Sequence, residues 1–327
     1  MRSSTSPRPG RPDPLAAAFA RDVAEGFARR PRTVPPRWLY DDLGSALFDA
    51  ICRLPWYRIT RAERALLAAH GRDVFDALRD PIEIVELGGG NGEKLDLLLD
   101  GAAARGRDVS VRLVDISHAA LDAARERLQA RAHPPAVHLT HAPYEEALGS
   151  LARTRAAGSR LMLFLGSNIG NFDPSEARDL LGGLAAAAGP GGAVLLGVDL
   201  VKPEADLLLA YDDPLQVTAA FNRNLLTRMN RALGANFPLD AFAHQAVWSR
   251  HASRVEMRLV ARTAVDIRIP AADVATRFEA GEFIWTESSY KYTTARIAAM
   301  AGKVGLDVGR QWIDPAAGFA LSLLLPR

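Results

Sequence analysis

The chain has 327 residues, 48% of them hydrophobic and 24% charged, and its 40 Lys and Arg nearly balance 38 Asp and Glu for a formal net charge of +2. Such a chain can bury a substantial core, and the near-balance supplies no field that would draw nucleic acid. A single cysteine, Cys52, excludes an internal disulfide and a multi-cysteine zinc site, and no apolar run approaches the ~20 residues that span a bilayer, so a reducing cytoplasm and no membrane partner are expected.

Residues 1–14 carry four prolines and little apolar content, and a disordered leader is expected there. Residues 15–79 read as helices interrupted by the prolines of 31–36 and by Pro55. The texture then changes. IEIVEL at 82–87 is a short β-branched run that meets glycines at once, as a buried strand entering a tight turn does. A helix over 93–104, a strand over 109–116, and a helix capped by Ser117 follow. Strands are expected at 136–142, 160–166 and 193–200. The Asp173-Pro174-Ser175-Glu176 run has a cap, a proline at the first helical position and an acid three residues after the cap. Strands alternating with helices imply a parallel sheet covered on both faces.

From Pro203 the alternation stops. One long helical stretch to about 233 is expected, then antiparallel strands over 242–269, where Val255, Met257 and Leu259 alternate with Arg254, Glu256 and Arg258. A helix over 293–303 and two closing strands, 307–313 and 318–325, end the chain. The expected organisation is a ligand-binding α/β domain of residues 62–202 and 291–327, and a substrate-binding α+β domain of residues 15–61 and 203–290, with the site between the two.

The glycines at 88, 90 and 92 let the chain turn sharply and approach a ligand. A dinucleotide fingerprint would need a glycine at 93, where this chain has Glu93. The E-x-G-x-G-x-G spacing instead resembles the S-adenosylmethionine (SAM) loop of class I methyltransferases, Rossmann-like folds that close with an antiparallel hairpin. Asp115, ending the second strand, suits the two ribose hydroxyls of a nucleoside. The loop 166–172 (GSNIGNF) lies at a strand's carboxyl end, where such sheets bind ligands. No histidine spacing suggests a metal. Asp212 and Asp213 read as a helix start.

From about Arg37 onward the chain resembles the histidine-specific, SAM-dependent methyltransferases of ergothioneine biosynthesis. The resemblance is carried by WLYDDLGSALFDAICRLPWYRITRAE from Trp38, VELGGGNGEK from Val85, FLGSNIGNF from Phe164, AYDDPLQVTAAFNRNLL from Ala210, VEMRL from Val255 and TESSYKY from Thr286. It implies that Tyr40, Gly88, Gly90, Lys94, Asp115 and Gly166 contact the cofactor. It implies that Tyr57, Asn171 and Tyr211 hold the substrate's amino and carboxylate groups, Tyr57 and Asn171 acting at the reacting amine, and that Thr218 assists. Met257, Glu287 and Ser289 fall at the imidazole end. The implied reaction places methyl groups from SAM on the α-amine of L-histidine, giving hercynine, in a monomer.

One position departs from the family: Pro143 stands where the resemblance implies an acid against the adenine amine. Losing such a hydrogen bond costs about 1.5–3 kcal/mol, so weaker cofactor binding is expected. The alternatives are an Nα-methyltransferase for another amino acid such as tryptophan, or a non-catalytic relative with a weakened cofactor site. A nicotinamide oxidoreductase is opposed by the glycine spacing.

Overall fold

The computed structural model describes residues 14–89 and 92–327. The expected leader thus lies outside the described residues except for Pro14, which opens helix α1 (Pro14–Phe27). The two-residue strand β1 (Arg32–Thr33) and helices α2 (Asp42–Arg53) and α3 (Ile59–His70) follow. The alternation then runs β2 (Ile82–Leu87), α4 (Glu93–Ala103), β3 (Val109–Asp115), α5 (His118–Gln129), β4 (Ala136–His141), α6 (Tyr144–Ala152), β5 (Ser159–Phe164), α7 (Pro174–Ala188) and β6 (Ala193–Asp199). Next come α8 (Glu204–Tyr211), α9 (Val217–Leu233), β7 (Phe242–Ser249), β8 (Arg254–Ala261), β9 (Val265–Ile269), β10 (Val274–Phe278) and β11 (Phe283–Tyr290). Helix α10 (Thr294–Lys303) and strands β12 (Leu306–Asp314) and β13 (Phe319–Pro326) close the chain. Among the described residues no helix is long and apolar enough to cross a membrane.

The chain divides into two compact units. One comprises the described part of Met1–Ile51 with Tyr211–Val247 and Glu256–Glu287; the other comprises Cys52–Ala210, Trp248–Val255 and Ser288–Arg327. The larger unit is built on a seven-stranded sheet in the order β12-β13-β6-β5-β2-β3-β4. Strands β2 to β6 pair in parallel, whereas β13 runs antiparallel to both β6 and β12. Every residue of β5 and β6 is buried, as expected for strands covered on both faces. The edge strand β4 buries none of its residues. Val85, Met162, Phe164, Leu181, Val194 and Leu196 belong to one continuous core. Strand order reverses beside β2, with β3 on one side and β5 on the other. In open α/β sheets ligands bind at such a reversal, outside the carboxyl ends of the strands.

Local chemistry sets the helix starts. Ser117 caps α5 by accepting the Ala120 N–H at 3.2 Å. Asp173 and Glu176 form a capping box on α7. Thr293 accepts the Arg296 N–H to start α10. The long helical stretch expected from Pro203 to 233 is instead two helices, α8 and α9. Pro214 disfavours helical backbone at the residue before it, and Asp213 turns its carboxylate onto the N–H groups of Val217 and Thr218 at 3.2 and 2.8 Å, restarting the helix.

The smaller unit contains the hairpin β9-β10 and most of a second sheet, β1-β11-β8-β7. Its core gathers Phe27, Phe237, Phe242 and Phe278 edge to face, with the Arg32 guanidinium 4.0 Å from the Phe278 ring centre. Helix α9 buries Phe221, Leu225, Leu226, Met229 and Leu233 on one stripe.

One buried ion network braces the base of the larger sheet. Arg160 on β5 donates to Glu83 on β2 at 2.8 Å and to the carbonyls of Leu151 and Ala187 at 2.9 and 2.7 Å. Arg112 reaches the other Glu83 oxygen at 2.9 Å. Burial works to raise the Glu83 pKa, but the hydrogen bonds from Arg160 and then Arg112 outweigh it and hold the carboxyl below its ordinary range. Arg160→Met should remove a buried pair and strand two carbonyls, costing about 3–5 kcal/mol. Urea unfolding of the variant checks this, and a loss under about 1 kcal/mol would show that the network is dispensable.

Candidate active site

The glycine turn follows β2 in the larger unit. Gly88 has φ +64° and Gly92 φ +74°, a region that strains any residue with a Cβ. The Gly88 N–H bonds the Val114 carbonyl at 2.9 Å, tying the turn to β3. A Cβ on Gly88 would stand 2.1 Å from the Tyr144 hydroxyl, so the phenol closes down on this glycine. Gly90 lies outside the described residues.

Glu86, two residues before the turn, is 2% exposed, and among the described residues neither carboxylate oxygen has a hydrogen-bond partner. Burial pushes its pKa up to about 7; the nearby Lys94 charge opposes the shift, and Glu63, Asp115 and Asp96 add to it. An orphaned buried carboxylate is costly unless a cation completes it. Sequence reasoning read Glu86 only as part of the strand motif.

Lys94, at the start of α4, is held by Glu63 of α3 at 2.6 Å. Burial works to lower the Lys94 pKa, but the Glu63 carboxylate outweighs it and the ammonium stays charged. Glu63, 0% exposed, also accepts the Gly166 N–H at 2.8 and 2.9 Å. Gly166 has φ +77°, and a Cβ there would lie 3.1 Å from Lys94 Nζ. Gly197 on β6 leaves the space Glu63 occupies, since a Cβ there would be 2.0 Å from Glu63 Oε1. Gly88, Lys94 and Gly166 are thus gathered at the carboxyl ends of β2 and β5. Glu63 was not singled out from the sequence, because its role depends on contacts 31 and 103 residues away.

Asp115 closes β3, its Oδ1 accepting the Ser117 N–H at 2.8 Å. Burial raises its pKa, against the backbone N–H groups of Ser117 and Ile116. A carboxylate has lone pairs for further donors such as ribose hydroxyls. Pro143 stands at the start of α6. The next residue, Tyr144, points its hydroxyl at Gly88, and its ring meets Phe164 edge-on at 5.8 Å. Burial, then Asp115, Glu145 and Glu86, push the phenol pKa up, so the hydroxyl stays protonated.

The turn Asn168–Asn171 follows β5. Ser167 before it is left-handed at φ 60° and accepts the Asp199 N–H at 2.9 Å. A Cβ on Gly170 would fall 2.8 Å from the Tyr290 carbonyl and 3.5 Å from Ser289 Oγ, so Ser289 packs beside the turn that carries Asn171. Tyr57, just ahead of α3, is buried.

The residues SAM would need fit this end of the sheet. A buried carboxylate without partners suits a cation, Lys94 suits a carboxylate, and Asp115 suits vicinal hydroxyls.

The remaining site residues lie in the smaller unit. Tyr40 packs edge-on against Phe48 and Phe221 at 5.4 Å each. Tyr211, Thr218, Met257 and Glu287 are all buried. A polar chain braces them. Asn222 Nδ2 donates to the Arg258 carbonyl at 3.1 Å and to His244 Nδ1 at 2.9 Å. A carbonyl can only accept, so the amide orientation is set, and His244 carries its proton on Nε2. From there it donates to the Tyr211 carbonyl at 2.8 Å. Burial lowers the His244 pKa, keeping the ring neutral. Asn222 Oδ1 accepts from Thr286 at 2.7 Å, and the same hydroxyl lies 3.0 Å from the Met257 carbonyl. The backbones of Tyr211 and Arg258 are therefore joined through the side chains of His244 and Asn222.

The orphaned Glu86 gives a pH prediction. Its folded pKa lies above its unfolded one, so the carboxyl's contribution is fully present below about pH 4.5 and is lost as pH rises through about 7. Relative to Glu86→Gln, the ligand-free protein should lose on the order of 3 kcal/mol across that window. Urea midpoints of both proteins between pH 5 and 8 measure it, and parallel profiles would contradict the assignment.

A family model described as a SAM-dependent, histidine-specific methyltransferase matches residues 19–326. The chain is 41% identical over 313 residues to the histidine N-alpha-methyltransferase of Mycolicibacterium smegmatis, covering 95% of this chain and 96% of that protein. It is 41% identical over 306 residues to the protein of the same name from Mycobacterium tuberculosis, covering 94% of each. Ergothioneine biosynthesis protein 1 of Schizosaccharomyces pombe is 29% identical over 285 residues, which span 85% of this chain and 36% of that protein. With the family model matching residues 19–326 and two relatives 41% identical over 94% or more of the chain, the chain belongs to the SAM-dependent histidine-specific methyltransferases.

Proposed function

We propose that this methyltransferase acts on the α-amine of L-histidine, adding three methyl groups to give Nα,Nα,Nα-trimethylhistidine, hercynine, the first step towards ergothioneine. The observation that carries the reading is the pair Glu287 and Ser289. Both are buried, and they sit two apart on strand β11, where i and i+2 share a face. A neutral imidazole has one N–H and one bare nitrogen. A carboxylate accepts from the first and a hydroxyl donates to the second. An indole would leave one of those groups without a partner.

Bound SAM supplies a methyl group on a cationic sulfur, open to attack from the side opposite the sulfur. The attacking amine must be neutral, because an ammonium has no lone pair. Tyr57 and Asn171 would orient that amine, with Tyr211 and Thr218 on the amino-acid head group. Water would take up the released proton, either directly or through the Tyr57 hydroxyl, which can accept it only while handing its own proton on to water. Met257 would fill space against the ring. Gly88, Lys94, Asp115 and Gly166 would hold the cofactor, and Glu86 would face its positive charge. Most of the rate would come from alignment of nitrogen, methyl and sulfur.

Mass spectrometry after incubation with SAM and each of the twenty amino acids separately tests the reading. Three methyls gained by histidine alone are expected, and Glu287→Ala should lower kcat/KM for histidine by roughly 10- to 100-fold. Methylation of another amino acid instead would overturn the histidine assignment, and no product from any would favour a non-catalytic relative.

A further inference from the structure

Lys291 lies just beyond β11 and is 0% exposed. Three backbone bonds fix its position. Its own N–H reaches the Ser253 carbonyl at 2.7 Å, the Tyr292 N–H the Asp199 carbonyl at 3.0 Å, and the Val201 N–H the Tyr292 carbonyl at 2.9 Å. The ammonium stands 2.9 Å from Asp199 Oδ2, while Lys202 holds the other Asp199 oxygen at 2.6 Å. The same ammonium donates to Ser289 Oγ at 2.9 Å.

We infer that Lys291 is a positioning residue that makes Ser289 a hydrogen-bond donor toward the substrate ring, and so selects rings that carry a bare nitrogen. The inference rests on the assignment of Ser289 to the imidazole made above. An ammonium has donors and no acceptor, so Ser289 Oγ must accept from it. A serine hydroxyl has one hydrogen, which is then directed away from Lys291. The neighbouring positive charge also polarises the O–H and strengthens it as a donor. Without the lysine the hydroxyl could rotate and accept from a ring N–H, and it would no longer tell a bare nitrogen from a protonated one. Asp199 holds the buried ammonium in place, and its second pairing with Lys202 leaves the carboxylate an ion-pair partner when Lys291 is replaced.

The test compares histidine with 3-(pyrrol-2-yl)alanine, which has a ring N–H and no bare nitrogen, in the wild type and in Lys291→Met. The wild type should favour histidine, and the variant should lower the ratio of the two kcat/KM values about tenfold. That loss should appear in KM for histidine, with kcat and SAM affinity nearly unchanged. Ser289→Ala should lower the same ratio, and Lys291→Met added to it should lower the ratio no further. If Lys291→Met fails to fold, Lys291→Gln carries the test, since its amide can also accept from Ser289 and should lower the ratio too. Equal losses on both substrates, or an unchanged ratio, would overturn the inference while leaving histidine methylation standing. A wild type that makes no methylated histidine would overturn the proposed function itself and this inference with it.

Discussion

The cofactor end of this enzyme depends on one carboxylate. Glu63 sits on α3 with no exposure to solvent, pairs with Lys94 and accepts the Gly166 N–H with both oxygens. Those two partners start α4 after the glycine turn and end the β5 segment. A buried charge keeps its ionised form only when it is paired and hydrogen-bonded, so Glu63 and its partners constrain one another. The missing side chain of Gly197 is what admits it.

Charge is distributed unevenly around this clamp. Lys94 is satisfied, whereas Glu86 is buried and has no hydrogen-bond partner among the described residues. The ligand-free protein therefore carries an electrostatic cost beside the glycine turn, and a bound cation would relieve it. Tyr144 closes the same turn from α6. Pro143 cannot supply the acid that the family resemblance implies, and the hydroxyl that reaches the turn belongs to the next residue. In the smaller unit the neutral pair His244 and Asn222 braces the site without charge, joining the backbones of Tyr211 and Arg258.

Much of this architecture was legible in the sequence. The strand-helix alternation from Ile82 to Asp199, the caps at Ser117 and Asp173 and the closing hairpin all follow from local pattern, and the structure has each of them. The Asp212-Asp213 pair marks the start of α9, but helical periodicity on both sides of Pro214 hides the break that separates it from α8. The spacing of the alternating glycines and Asp115 points towards a nucleoside ligand before any contact is known. Glu63, Tyr144 and Lys291 do not, since each looks like an ordinary charged or aromatic residue on a helix or strand end. Their importance comes from burial beside partners far away in the chain, which periodicity does not report. Glu287 and Ser289 stand between these cases: their types suit an imidazole, but only the resemblance singled them out.

The position of the transferred methyl groups tests the account most directly. NMR of the product formed from histidine and SAM carrying a 13C-labelled methyl distinguishes the α-nitrogen from either ring nitrogen. The account predicts that all label enters one trimethylammonium group on the α-nitrogen. Label on a ring nitrogen would contradict it, because Glu287 and Ser289 would then be facing the reacting atom rather than holding the ring away from it.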